Sequence, residues 1–236
     1  MQKNLRRLIL IVKKLFYASL IFFIFTICAN AFALSQNDKK RMSSFVSAFT
    51  ETGFFNFDLE NADPDDNEEL SEYEEPVTHL GTAANVTELI RFGILHNLIH
   101  GRDNLKQCSD KNCESGSLTL DKKIVFDTVK KFFDIDISKK DLSLIKEDPT
   151  VVFSYDGKLF HFDEDSFKEP GNDTVYFADV QGVTKRGEYL MFAGDIYNSK
   201  QTTNRPGMFA AIVKPVKNSW VIISMTTDWV TNAGRD

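Results

Sequence analysis

The chain has 236 residues, of which 42% are hydrophobic and 26% charged, with a formal net charge of −6. That length suffices for a sizeable core, and the acid excess argues against nucleic acid and anionic lipid, whose attraction runs through Lys and Arg. Phenylalanine dominates the aromatics, 21 residues against 6 Tyr and 2 Trp, so the packing should be Phe against strand and helix in one thick core.

The first 33 residues hold Lys3, Arg6, Arg7, Lys13 and Lys14 and no acid, then an apolar run from Leu15 to Cys28 and two small-x-small sites ending at Ala31 and Ala33. This is the layout of a secretory signal peptide cleaved after Ala31 or Ala33. An uncleaved anchor competes, because the apolar run is nearly long enough to span. A lipoprotein signal at Cys28 also competes, but the preceding Ile27 is not small. Removing the leader leaves 23 basic against 34 acidic side chains, close to −11. The expected product is a bacterial protein exported to the periplasm or beyond the cell, with no stable membrane insertion after cleavage. It would be a single α+β domain over 34–230 with a flexible tail at 231–236.

Met42, Phe45, Val46 and Phe49 repeat at helical spacing, which predicts a helix over 35–52 ended by Gly53. Phe54, Phe55 and Phe57 then carry the chain onto the core. The stretch 58–80 is acidic and turn-rich. Within it Asp63, Asp65, Asn67, Glu69, Ser71 and Glu74 fall at positions 1, 3, 5, 7, 9 and 12 of a calcium loop. Glu68 stands where the sharp turn wants Gly, and Pro64 is at position 2, so a solvated acidic loop is the plainer reading. No other cofactor is expected.

A second helix is predicted over 85–100, with Asn85 as N-cap and Glu88 three residues on. Its apolar residues leave only narrow polar faces, as in a central buried helix. His96 and His100 lie one turn apart on it, but the intervening Asn97 breaks the H-E-x-x-H pattern. They either line a pocket or sit at a helix C-terminus, where the dipole favours His. The polar loop 101–117 contains Cys108 and Cys113, which most simply form one local disulfide that pins the loop. A redox role is the sharper reading, but the spacing is not C-x-x-C, and zinc would need partners the sequence does not offer. Residues 117–120 suggest a short edge strand, and Asp121 should cap a third helix through Phe133.

Residues 150–229 read as three consecutive hairpins. In the first, a turn at Asp156-Gly157 would set Phe153 opposite Phe160 and Val151 opposite Phe162, leaving His161 on the other face with Val152 and Leu159. The second pairs 175–183 with 189–197, and the third pairs 208–214 with 220–229. The fold class expected is therefore α+β, about three N-terminal helices on one curved antiparallel sheet of about six strands. Asp179 and Asp195 become near neighbours on the second hairpin. Two close carboxylates can divide into acid and base, with a histidine from the second helix joining them if the sheet curls over it. On a hairpin, alternate polar residues are otherwise its wet face.

Helices followed by long antiparallel strands and a Trp-bearing last hairpin resemble the cystatin-like and nuclear-transport-factor-2-like α+β folds. The resemblance is one of element order over about 35–229 and transfers no residue. It implies a curved sheet wrapped on a helix, used as an enzyme pocket or as a recognition surface. With no nucleophile elbow or phosphate loop, the expectation is a non-catalytic binding or accessory module, an inhibitor among the options, with an acidic surface. Its partner would be a basic protein or envelope component. The alternative is a small-ligand pocket or hydrolase-type enzyme using His96, His100, Asp179 or Asp195.

Overall fold

The computed structural model describes residues 35–59, 78–79, 86–108, 113, 117–140, 142, 151–167 and 174–229. The leader, the calcium-loop candidates Asp63 to Glu74 and the 231–236 tail lie outside the described residues.

Among the described residues, three helices form where the apolar spacing places them. Helix α1 is Gln36–Thr50, with Ser35 as N-cap accepting from the Asp38 N–H at 3.1 Å. Helix α2 is Val86–His100. Helix α3 is Lys122–Phe133, and the Asp121 carboxylate accepts from the Lys123 N–H at 2.8 Å. At the end of α3, Asp134 takes the left-handed conformation that stops it.

The strands are β1 (Phe57–Asp58), β2 (Thr78–His79), β3 (Lys106–Gln107), β4 (Leu118–Asp121), β5 (Phe153–Tyr155), β6 (Leu159–Phe162), β7 (Tyr176–Arg186), β8 (Tyr189–Asn198), β9 (Gly207–Val216) and β10 (Ser219–Trp229). They make two sheets rather than one. The larger has the order β2-β1-β10-β9-β8-β7, antiparallel except for the short β1–β2 pair; the smaller has the order β3-β4-β6-β5 and is antiparallel throughout. The expected six-stranded sheet of three hairpins is thereby corrected. The first hairpin leaves the other two because β6 takes β4 as its second neighbour, in register from Leu118↔Phe162 to Asp121↔Leu159. Strand β4 is accordingly interior to its sheet, not an edge.

The register of that hairpin also differs from expectation. Phe153 pairs with Phe162, Ser154 with His161 and Tyr155 with Phe160. The turn centres on Gly157-Lys158, with Gly157 at φ +100°, the first central position where a type II′ turn wants glycine. Asp156 closes the ladder instead of entering the turn, because its carboxylate accepts from the N–H groups of Lys158 and Leu159 at 2.8 and 2.7 Å. His161 still faces away from Phe160 and Phe162, as the alternation requires.

In the larger sheet, Val183, Phe192, Ala211, Met225 and Phe57 stand side by side across five strands on the inner face. Bulges at Gln181 and Ile223 shift the register in mid-strand. They bring Val180, Ile222 and Met225 into the core and turn Val183 against it. Phe49 of α1 is fully buried at the centre, with ring centroids 5.1–5.7 Å from Phe57, Phe92, Phe132 and Phe133. One buried cluster continues from there through Leu120, Phe160 and Phe162 of the smaller sheet.

Helix α1 also covers the free edge of the larger sheet. Ser43, Ser47 and Thr50 form a polar stripe at i, i+4, i+7 that runs along β7. The Ser43 and Ser47 hydroxyls accept from the N–H groups of Val180 and Ala178, each at 3.0 Å, and the Thr50 hydroxyl donates to the Tyr176 carbonyl at 2.9 Å. Edge groups that would otherwise be open to another strand are thus paired within the chain.

Candidate functional site

The sequence-derived candidates fall into three separate places. His96 and His100 emerge from the C-terminal turn of α2 against α1 and α3. The His100 ring lies 4.9 Å from His96, and its Nε2 is 2.8 Å from the Glu51 carboxylate at the end of α1. Glu51 is nearly sealed, its side chain 8% exposed. Burial pushes its pKa up, against the opposing pull of His100. His96 packs 4.7 Å from the Phe132 ring, and its Nδ1 is buried without a hydrogen-bond partner. Its pKa falls to about 4, first through burial and then through the charges of His100 and Lys131. Asn97, between the histidines, is a structural group: its amide donates to the Gly93 carbonyl and the Thr128 hydroxyl, and its oxygen accepts from Asn104. An open cleft of about 880 Å³ runs past the two histidines, Glu51 and Lys131 to Trp220.

Asp179 and Asp195 are direct cross-strand partners, as the hairpin reading expects. The histidine expected to join them does not. Both aspartates alternate with the inward-facing Ala178, Val180 and Ile196 and so project from the outer face, whereas α2 packs against α1 and α3 through Phe92 on Phe49, Phe132 and Phe133. Asp179 is held by Lys39 at 3.2 Å and Arg205 at 3.4 Å. The same row continues through Met208 to Asp228. Beside it stand Tyr197, stacked on Phe177 at 5.4 Å, then Ala193 against Ala210, and Met191 against Ile212. Met208 is 52% exposed and Ile212 37%.

The third place is the smaller sheet. Cys108, one residue past β3, lies at disulfide distance from Cys113, with S–S 2.03 Å and Cα–Cα 6.0 Å. The Cys108 Sγ is 3.7 Å from Nδ1 of His161, whose Nε2 is 2.9 Å from the Asp156 carboxylate. Sequence reasoning passed over His161, Asp156 and Glu51 as site residues. For the first two a signal existed: an Asp at the start of a hairpin turn and a His five residues on, facing away from the Phe side. The partner cysteine, 53 residues away in sequence, is reached only through the β3-β4-β6 pairing.

Among the described residues no group of three or more His, Cys, Asp or Glu side chains is arranged to hold a metal ion, and no helix is long and apolar enough to cross a membrane. Family profiles, curated proteins and solved structures alike give no match to this chain.

Proposed function

We propose that this chain is an exported binding protein whose partner is held, without catalysis, on the outer face of its larger sheet. The observation that carries the reading is the row Asp179–Asp195–Met208–Asp228 beside the exposed Ile212. Apolar side chains this exposed, set next to carboxylates, match a protein surface that presents Lys or Arg around an apolar patch. The leader-like N-terminus, the acid excess and a cysteine pair compatible with export support the location. The surface is tested by capture from native envelope and culture-medium extracts, washed at low and then high salt. A stoichiometric protein that elutes with salt and is not retained by Asp195→Lys supports the reading. Equal capture by the variant removes it.

A second reading, a small-ligand pocket, is favoured by the cleft at His96, His100 and Glu51. If His96→Ala and His100→Ala leave every ligand response unchanged, that reading is finished.

A further inference from the structure

Each nitrogen of the buried His161 ring faces a polar neighbour. The residue is 6% exposed and sits in the middle of the smaller sheet, paired with Thr119 on one side and Ser154 on the other. Its Nε2 lies 2.9 Å from the Asp156 carboxylate and its Nδ1 3.7 Å from Sγ of Cys108. Asp156 is held in place by the hairpin turn. Its pKa is drawn down to about 2, chiefly by the Leu159 N–H, with His161 and the Lys158 N–H adding to the effect against burial. An ionised carboxylate only accepts hydrogen bonds. The proton of a neutral His161 therefore sits on Nε2, and the lone pair of Nδ1 faces the sulfur. Once the disulfide is reduced, a base aimed at the Cys108 sulfur and oriented by a carboxylate behind it is the arrangement that activates a thiol.

We propose that Cys108–Cys113 is a redox-active pair, with Cys108 as the stabilised thiolate, His161 as its counter-ion, Asp156 as the positioning residue, and the thiols of a client polypeptide as substrate. A client thiolate attacks Sγ of Cys113. The Cys108–Cys113 bond breaks, and its electron pair leaves on Cys108 as a thiolate beside His161. The client is now joined to Cys113 as a mixed disulfide. A second client thiolate attacks its own sulfur in that bond, which forms the client disulfide and releases Cys113. Two electrons pass from the client dithiol to the cysteine pair. The two client protons end on Cys113 and on the Cys108–His161 pair. The better-stabilised thiolate is the better leaving group, which places the client on Cys113. Both cysteines are half-buried rather than sealed. A loop whose ends are five residues apart gains little chain entropy from closure, so anchoring alone is a weak reason for the bond. The inference is independent of the partner surface on the larger sheet.

The test is the exported chain carrying Cys113→Ser, which leaves Cys108 as a free thiol, with thiolate absorbance followed against pH. The expected midpoint lies at least about one unit below the ordinary thiol value of about 8.5. Adding His161→Gln should raise it by about a unit or more and slow alkylation at pH about 6 by roughly tenfold. A midpoint at or above the ordinary value overturns the proposal, as does a midpoint that His161→Gln leaves in place. If His161→Gln does not fold, Asp156→Asn in the half-exposed turn replaces it, with a smaller rise expected and no rise counting against the assignment. A purely structural His161 would alter stability without moving the thiol midpoint.

Discussion

Replacing Ser47 by Ala isolates one of the bonds by which α1 closes the edge of the larger sheet. Ser47 is 6% exposed and Ala178, whose N–H it accepts at 3.0 Å, is 2% exposed. Removing the hydroxyl leaves that N–H with neither a protein acceptor nor water, a loss of about 1–3 kcal/mol. Alanine recovers about half a kcal/mol of helix propensity relative to serine. The net destabilisation should be about 1–2 kcal/mol. Urea unfolding reads it as a lowered midpoint at unchanged slope. Ser44→Ala, on the exposed side of the same helix, supplies the control and should shift stability by less than about 0.5 kcal/mol. If Ser47→Ala is as stable as wild type, or no worse than Ser44→Ala, the hydroxyl stripe does not hold the edge and α1 is retained by its apolar face alone.

Gly194→Ala should disrupt the second hairpin, because a Cβ there meets the Asp179 carbonyl oxygen at 2.0 Å. Backbone cannot yield as a side chain does, so a loss of about 3 kcal/mol or more is expected by chemical denaturation. Gly93→Ala should cost less, about 1–3 kcal/mol. Its Cβ meets the Val125 Cγ1 at 2.8 Å and the Val125 carbonyl oxygen at 3.1 Å, contacts that need a smaller shift than the 2.0 Å clash at Gly194, and alanine is the better helix former. His96 makes stability pH-dependent with a defined sign. Its folded pKa of about 4 lies below the ordinary 6.5, so the unfolded chain binds the proton more readily. Its contribution is complete above pH about 6.5, is lost as pH falls towards about 4, and is flat below, at most about 3 kcal/mol in all. Glu51, with its pKa raised, acts in the opposite direction. The comparison to make is therefore wild type against His96→Leu, in which the His96 slope should vanish from the pH-stability curve.

The elements that follow from local rules were legible. Apolar spacing marked the three helices, Asp121 marked the start of α3, and alternation marked the two long hairpins. What escaped were decisions made between residues far apart in the chain. Strand β4 is four residues long, too short to declare its partner, and pairing it with β6 moved the first hairpin into a second sheet. The turn at Gly157-Lys158 shifted by one residue because Asp156 has a competing use for its carboxylate, hydrogen-bonding to the next N–H groups and to His161. The hydroxyl stripe Ser43, Ser47, Thr50 is visible as a helical period, yet it acquires meaning only when β7 lies against it. The same is true of the candidate sites. Asp179 and Asp195 were placed together by hairpin register, whereas Glu51 beside His100 and Cys108 beside His161 are products of tertiary packing.

The central claim is that the outer sheet face is where a partner docks. It is tested most directly by titrating the captured partner with wild-type chain and with the double variant Asp195→Lys, Asp228→Lys, each at two salt concentrations. Both aspartates stand on the solvent side, so the fold should survive the change, and a far-ultraviolet spectrum matching wild type confirms it. The predicted result is a Kd weakened by roughly tenfold or more in the variant, with a smaller loss on adding salt than wild type shows. An unchanged Kd, with the same salt dependence in both proteins, would contradict the account and move the binding function off this face.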